Sequence, residues 1–191
     1  MFFDIDEFIF LRNYSKISDF LNQKIFEKCQ KISLNWFMHT DNNLLYYDNR
    51  SLSERFPEKK YDCKGKKMCG SSLVIKSILK GNINIKLEDI HTINDGLVGC
   101  DGFGRIKKIQ GFKIDQPDHY YYYIDHYWSK STEEFVNKLM RGDGMYGYDT
   151  KKNNLKRIRI YFSFNNITEE KINLFKYNNF SYRRKISKRY K

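Results

Sequence analysis

Apolar residues open the chain in two short blocks, Met1-Phe2-Phe3 and Phe8-Ile9-Phe10-Leu11, separated by Asp4-Ile5-Asp6-Glu7. An apolar segment this short, bounded by charge, predicts a buried strand. From Ile17 to Cys29 the positions Phe20, Leu21, Ile25 and Phe26 recur at helical spacing, with Ser18 as the expected N-cap. Lys31 to His39 predicts a second strand through Ile32, Leu34 and Trp36, and Thr40-Asp41-Asn42-Asn43 follows as a polar turn. Ser51 to Phe56 predicts a short helix, after which Pro57 opens a Lys-rich loop reaching Lys67. Leu73–Leu79 and Ile83–Ile90 read as two further strands joined through Gly81. Asp95–Gly111 holds five glycines and reads mostly as turn.

The stretch from Tyr120 to Trp128 is aromatic and β-prone, and it runs into His126-Tyr127-Trp128-Ser129-Lys130. A helix is strongly signalled next. Ser131 followed by Glu134 forms a capping box, Phe135, Val136, Leu139 and Met140 form an apolar stripe, and Gly142 stops it. His126 and Lys130 therefore stand between a strand end and a helix N-terminus, a position that favours phosphate.

With 191 residues, 40% of them hydrophobic, the chain is long enough for one domain with a real core. Fifteen Tyr, fifteen Phe and only two Pro, with abundant Lys, Asn and Ile, suggest a coding sequence rich in A and T, which contributes to the net charge of +12. Acids interrupt the N-terminal apolar stretch, so it does not read as a secretory signal, and no run approaches the length of a membrane span. Cys29, Cys63, Cys69 and Cys100 lack Cys-x-x-Cys spacing, and His39, His91, His119 and His126 lack zinc spacing. These features predict free buried thiols and a cytoplasmic chain.

On a strand, Asp4 and Asp6 would project from the same side. Two desolvated carboxylates at that spacing repel each other unless a cation sits between them. Hard oxygen ligands in such small number suit Mg²⁺ or Mn²⁺ shared with substrate phosphates.

Taken together, Phe3-Asp4-Ile5-Asp6-Glu7-Phe8, Trp36, Arg55-Phe56, Lys76-Ser77-Ile78, His91, Ile124-Asp125-His126-Tyr127, Lys130-Ser131 and Glu133-Glu134-Phe135 resemble glycosyltransferases of the family 2 and family 92 type. The resemblance covers residues 1–145, and 146–191 reads as a helical, basic C-terminal extension. It implies an α/β fold, the C-terminal part of a GT-A type, Rossmann-like domain. It implies Mn²⁺ or Mg²⁺ held by Asp4 and Asp6, with His126 as third ligand and Lys130 on the diphosphate of a nucleotide-sugar donor. The implied reaction inverts the anomeric carbon and transfers the sugar to a hydroxyl on a glycan, lipid or protein acceptor. Inversion calls for a carboxylate base; Asp41 is the first candidate, with Glu54 and Asp89 as rivals. In the family a nucleobase-binding half precedes the Asp-x-Asp strand, whereas here Met1 lies three residues before Asp4. The expectation is the second half of such an enzyme, from a split gene, a truncated gene or a gene model begun at an internal Met. It would be inactive alone, with a separate N-terminal half as one partner to consider.

A different class of function comes from the tail. Arg183 to Lys191 has six basic residues in nine, which would attract nucleic acid or an anionic membrane surface. No nucleic-acid module accompanies it, so peripheral membrane association is the stronger expectation of the two. Gly99-Cys100-Asp101-Gly102-Phe103-Gly104 has the wrong glycine spacing for a dinucleotide loop, and Arg141-Gly142-Asp143 sits at a predicted helix C-cap.

Overall fold

The computed structural model describes residues 3–60, 73–81, 83, 96–107, 113, 117–142 and 151–178. They form a mixed α/β structure with a five-stranded mixed sheet. The chain divides into two compact units, one made of residues 1–38 and 61–126, the other of residues 39–60 and 127–191.

The sheet belongs to the first unit. Its strands are β1 (Glu7–Leu11), β2 (Lys31–Met38), β3 (Ile75–Leu79), β4 (Gly99–Cys100) and β5 (Tyr122–His126). They run in the order β1-β5-β2-β3, with β4 also paired to β2. β2 is parallel to β4 and β5 and antiparallel to β3, while β1 is antiparallel to β5. The alternation that marks β2 in sequence becomes a division of faces. Ile32 and Leu34 join Tyr122 and Ile124 of β5 in a core with Phe20, Phe26, Cys29 and Cys100. The intervening Ser33 meets its register partner Ser77 through their hydroxyls at 2.9 Å, a cross-strand pair that fixes the β2–β3 alignment.

Three expectations are corrected in this unit. Asp4 and Asp6 do not lie on a strand. Pairing with β5 starts at Glu7 opposite His126, and the preceding residues form a turn in which the Glu7 N–H donates to the Asp4 carbonyl at 3.0 Å. The long helix predicted from Ile17 is instead α1 (Ile17–Leu21) followed by a 3₁₀ turn at Lys24–Phe26. The Gln23 amide donates to the Phe20 carbonyl at 2.8 Å, taking an acceptor that a continuing helix would use. Lys16, not Ser18, is the N-cap, and the Ser18 hydroxyl donates to Asp19.

The third correction concerns cysteine. Cys29 and Cys100 are not free thiols but a disulfide, buried in the sheet core and closing a sequence separation of 71 residues. A disulfide persists in oxidising compartments, so the cysteine argument for a cytoplasmic chain does not hold. Cys63, Cys69 and residues 84–90 of the predicted strand Ile83–Ile90 fall outside the described residues. No helix among the described residues is long and apolar enough to cross a membrane.

The second unit is helical: α2 (Leu52–Arg55), α3 (Thr132–Arg141), α4 (Lys151–Phe164) and α5 (Glu169–Tyr177). α3 starts where the capping box predicts, with the Glu134 N–H on the Ser131 hydroxyl and the Ser131 N–H on the Glu134 carboxylate. It ends at Gly142, whose φ of 83° is natural only for glycine. Phe135, Val136 and Leu139 pack on Ile158, Tyr161, Phe162 and Phe175. Met140, expected in that stripe, is exposed. Glu134 also receives the buried Arg55 guanidinium at 2.7 Å. Burial alone would raise the Glu134 carboxyl, but Arg55 and the Ser131 groups outweigh it and hold the acid below its ordinary value.

Two outcomes test this architecture. Replacing both Cys29 and Cys100 by Ser should cost about 2–4 kcal/mol in urea unfolding, and an unchanged midpoint would contradict the bond. Because the folded-state acidity of Glu134 is increased, its contribution is present above its unfolded pKa of about 4.3 and lost as pH falls through the lower folded value. Glu134→Gln should therefore flatten the stability curve on the acid side of about pH 4.5, measured by urea melts across pH.

Candidate metal and phosphate site

The carboxyl ends of β2 and β5 coincide, with Met38 in register with His126, and β1 begins beside them at Glu7. In open α/β sheets this end of the strands is where ligands bind. His126 continues the core face of β5, is buried, and tilts against the Trp36 ring at a centroid distance of 4.2 Å. Its Nε2 lies 3.8 Å from Oδ1 of Asp6, which is buried as well. The turn before β1 thus delivers Asp6 to His126, while Asp4 stays exposed.

Around this pair stands a second group of charges. Lys76 of β3 is 1% exposed, and its ammonium lies 3.3 Å from Glu7 Oε2 and 3.4 Å from Asp4 Oδ2. The same Glu7 oxygen accepts the Asp4 N–H at 3.1 Å. Burial, the largest influence, raises the Glu7 carboxyl above its ordinary value despite the opposing pull of the Asp4 N–H and Lys76. The sequence pattern singles out neither Glu7 nor Lys76 for the site. The signal was there for Lys76, a lone charge inside the apolar run Leu73-Val74-Ile75-Lys76-Ser77-Ile78-Leu79.

Among the described residues no group of three or more His, Cys, Asp or Glu is placed to hold a metal by itself. The donors at the sheet end fit a looser arrangement. One imidazole and one or two carboxylates hold Mg²⁺ or Mn²⁺ when phosphate oxygens complete the shell. A buried Glu7 oxygen, Oε1, has no hydrogen-bond partner and adds unspent negative potential beside them.

Of the other predicted site residues, Lys130, Asp41 and Glu54 belong to the second unit. Lys130, which precedes α3 in the chain, is half-buried and adopts φ of 51°, uncommon for a residue with a side chain. Asp41 is 1% exposed and lies in a dense network. Its carboxylate meets Lys171 Nζ at 2.6 Å, accepts the Tyr161 hydroxyl at 2.5 Å and accepts the Asn43 N–H at 2.9 Å. Its own N–H donates to Asn165 Oδ1 at 2.7 Å. Burial and the neighbouring Asp41 charge push the Tyr161 hydroxyl far above its usual range, so it stays a donor. Glu54 is exposed at α2, held below its ordinary value by the Ser51 hydroxyl and N–H. Asp89, His91 and the basic tail Arg183–Lys191 lie outside the described residues.

No protein-family model, no curated protein and no solved structure matches this chain.

The Asp41 network makes a sharp demand on stability. Lys171→Met strands a buried carboxylate and should cost about 3–5 kcal/mol in urea unfolding. The double change Asp41→Asn with Lys171→Met should cost clearly less, since no unpaired charge is left behind. Equal losses would show that the pair is not the organising contact.

Proposed function

We propose that the chain carries the metal- and diphosphate-binding face of a GT-A type glycosyltransferase that uses a nucleotide-sugar donor. The observation that supports this reading is the approach of Asp6 to His126, 3.8 Å apart at the carboxyl ends of β2 and β5. These residues come from opposite ends of the first unit and are both buried, where an acid and an imidazole need a reason to meet. Asp6 and His126 would hold the ion, with phosphate oxygens and water completing its shell. Mn²⁺ or Mg²⁺ bound there would neutralise charge on a nucleoside diphosphate.

Lys130, in the second unit, forms no part of this reading. The acceptor on this reading is a hydroxyl, whose proton a carboxylate base takes. Asp41 is engaged on both carboxylate oxygens by Lys171, Tyr161 and Asn43, so a base role there would require it to leave those partners. The disulfide agrees with a reaction in an oxidising compartment.

The test is a melting curve with Mn²⁺ and a nucleoside diphosphate. Saturation near a hundredfold over Kd should add about 2.7 kcal/mol, and Asp6→Asn should abolish the gain. An unchanged wild-type melting curve would reject the reading.

A further inference from the structure

We propose that the amino-end rim of β5 is a docking surface for an acidic polysaccharide bearing carboxylate groups, built on Arg12, Tyr120 and Tyr121. It lies at the far end of β1 and β5 from the Asp6–His126 pair, since Leu11 pairs with Tyr122 there while Glu7 pairs with His126. It stands independently of the transferase reading. The Arg12 N–H donates to the Tyr121 carbonyl at 2.9 Å, so strand pairing continues one step past β1 and β5. The exposed Arg12 guanidinium lies over the Tyr120 ring, 3.7 Å from its centroid, and 6.0 Å from that of Tyr121. Tyr120 and Tyr121 are 53% and 36% exposed, and their rings meet edge to face at 4.7 Å. Phe103 continues the row, 5.5 Å from Tyr121, and carries the Arg105 guanidinium at 4.9 Å.

Charge decides what fits. Asp118 and Asp101 both contact this row, and both are engaged. Asp118 accepts the backbone N–H groups of Tyr120, Tyr121 and Tyr122, and Asp101 holds Arg105 at 2.7 Å. The Arg12 guanidinium meets no carboxylate among the described residues; its contacts are the two tyrosine rings. A guanidinium lying on a ring keeps its N–H edge open to a carboxylate, which it grips with two parallel hydrogen bonds. The rings beside it offer apolar faces with hydroxyl tips, the pattern that a pyranose answers with a C–H face and a hydroxyl rim. A net charge of +12 adds a field that draws in a polyanion. Aromatic rings among cations also suit single-stranded nucleic acid. The Cys29–Cys100 disulfide favours the glycan, because acidic glycans are the common polyanions of oxidising compartments.

Polygalacturonate, titrated into the full chain and followed by calorimetry, should bind, and its neutral methyl ester should bind about tenfold more weakly or worse. Arg12→Lys keeps the net charge but gives up the fork and the stack, and should weaken the acidic polymer about tenfold. Changing Tyr120 and Tyr121 together to Leu keeps apolar surface without the rings, and should weaken it by a similar factor, about tenfold. All three side chains are exposed, so these variants should keep the wild-type midpoint in urea. Absence of polygalacturonate binding, or equal binding of the neutral ester, overturns the proposal. Wild-type affinity in Arg12→Lys assigns the binding to general charge and overturns it as well. Tighter binding of an oligothymidylate of equal charge overturns it in favour of nucleic acid. Tighter binding of phosphatidylserine vesicles overturns it in favour of a membrane surface.

Discussion

A lysine ammonium taken out of water costs several kcal/mol unless a carboxylate meets it with good geometry. Two lysines here, Lys76 and Lys171, are each about 1% exposed, one in each unit. In the first unit Lys76 gathers Glu7 and Asp4 at the mouth of the sheet. In the second, Lys171 meets Asp41, and the rest of the Asp41 hydrogen bonds draw in Tyr161, Asn165 and Asn43. Through Asn165 the network reaches Ser129, and through Tyr161 it reaches Thr132 at the start of α3. Neither cation can leave without stranding a buried acid. The segments that carry those acids are thereby committed to their places.

The sheet supplies what electrostatics alone cannot, which is register. β5 lies between β1 and β2, so a single residue, His126, is opposite Glu7 on one side and Met38 on the other. A shift of one residue in either pairing would turn His126 away from the core face and separate it from Asp6. The Ser33–Ser77 hydroxyl pair does the same for β3, holding Lys76 at the height where its ammonium meets Glu7. The Cys29–Cys100 bond anchors the opposite end of β2, where β4 joins it. Fixing one end of a central strand covalently leaves the other end to be adjusted by charge.

Much of this was legible where local chemistry decides. The β2 alternation, the Ser131–Glu134 capping box and the Gly142 stop are short-range signals, and each sits where the pattern puts it. Local patterns failed where a side chain competed with the backbone. Gln23 breaks a helix that the apolar spacing favours, and Glu7 folds the Asp4–Asp6 segment into a turn. Long-range partners were the least legible. Nothing in periodicity links Asp41 to Lys171 or Cys29 to Cys100, because those contacts depend on topology and not on spacing. The meeting of Asp6 with His126 was expected from the chemistry of their segments, but the turn that presents Asp6 was not.

That turn changes what the two aspartates can do. On a flat strand both would face the same side with the same exposure, and their repulsion would have to be met by the ion alone. In the turn Asp6 is buried against His126 while Asp4 remains in solvent beside Lys76. On the proposed reading, Asp6 and His126 would give the ion one well-fixed side. So few protein donors leave several positions for phosphate oxygens and water. On that reading, any help the diphosphate gives the metal would be returned by the same factor, since linkage between two ligands is reciprocal. On that reading, the site would hold its ion weakly when the donor is absent and firmly when the donor is bound.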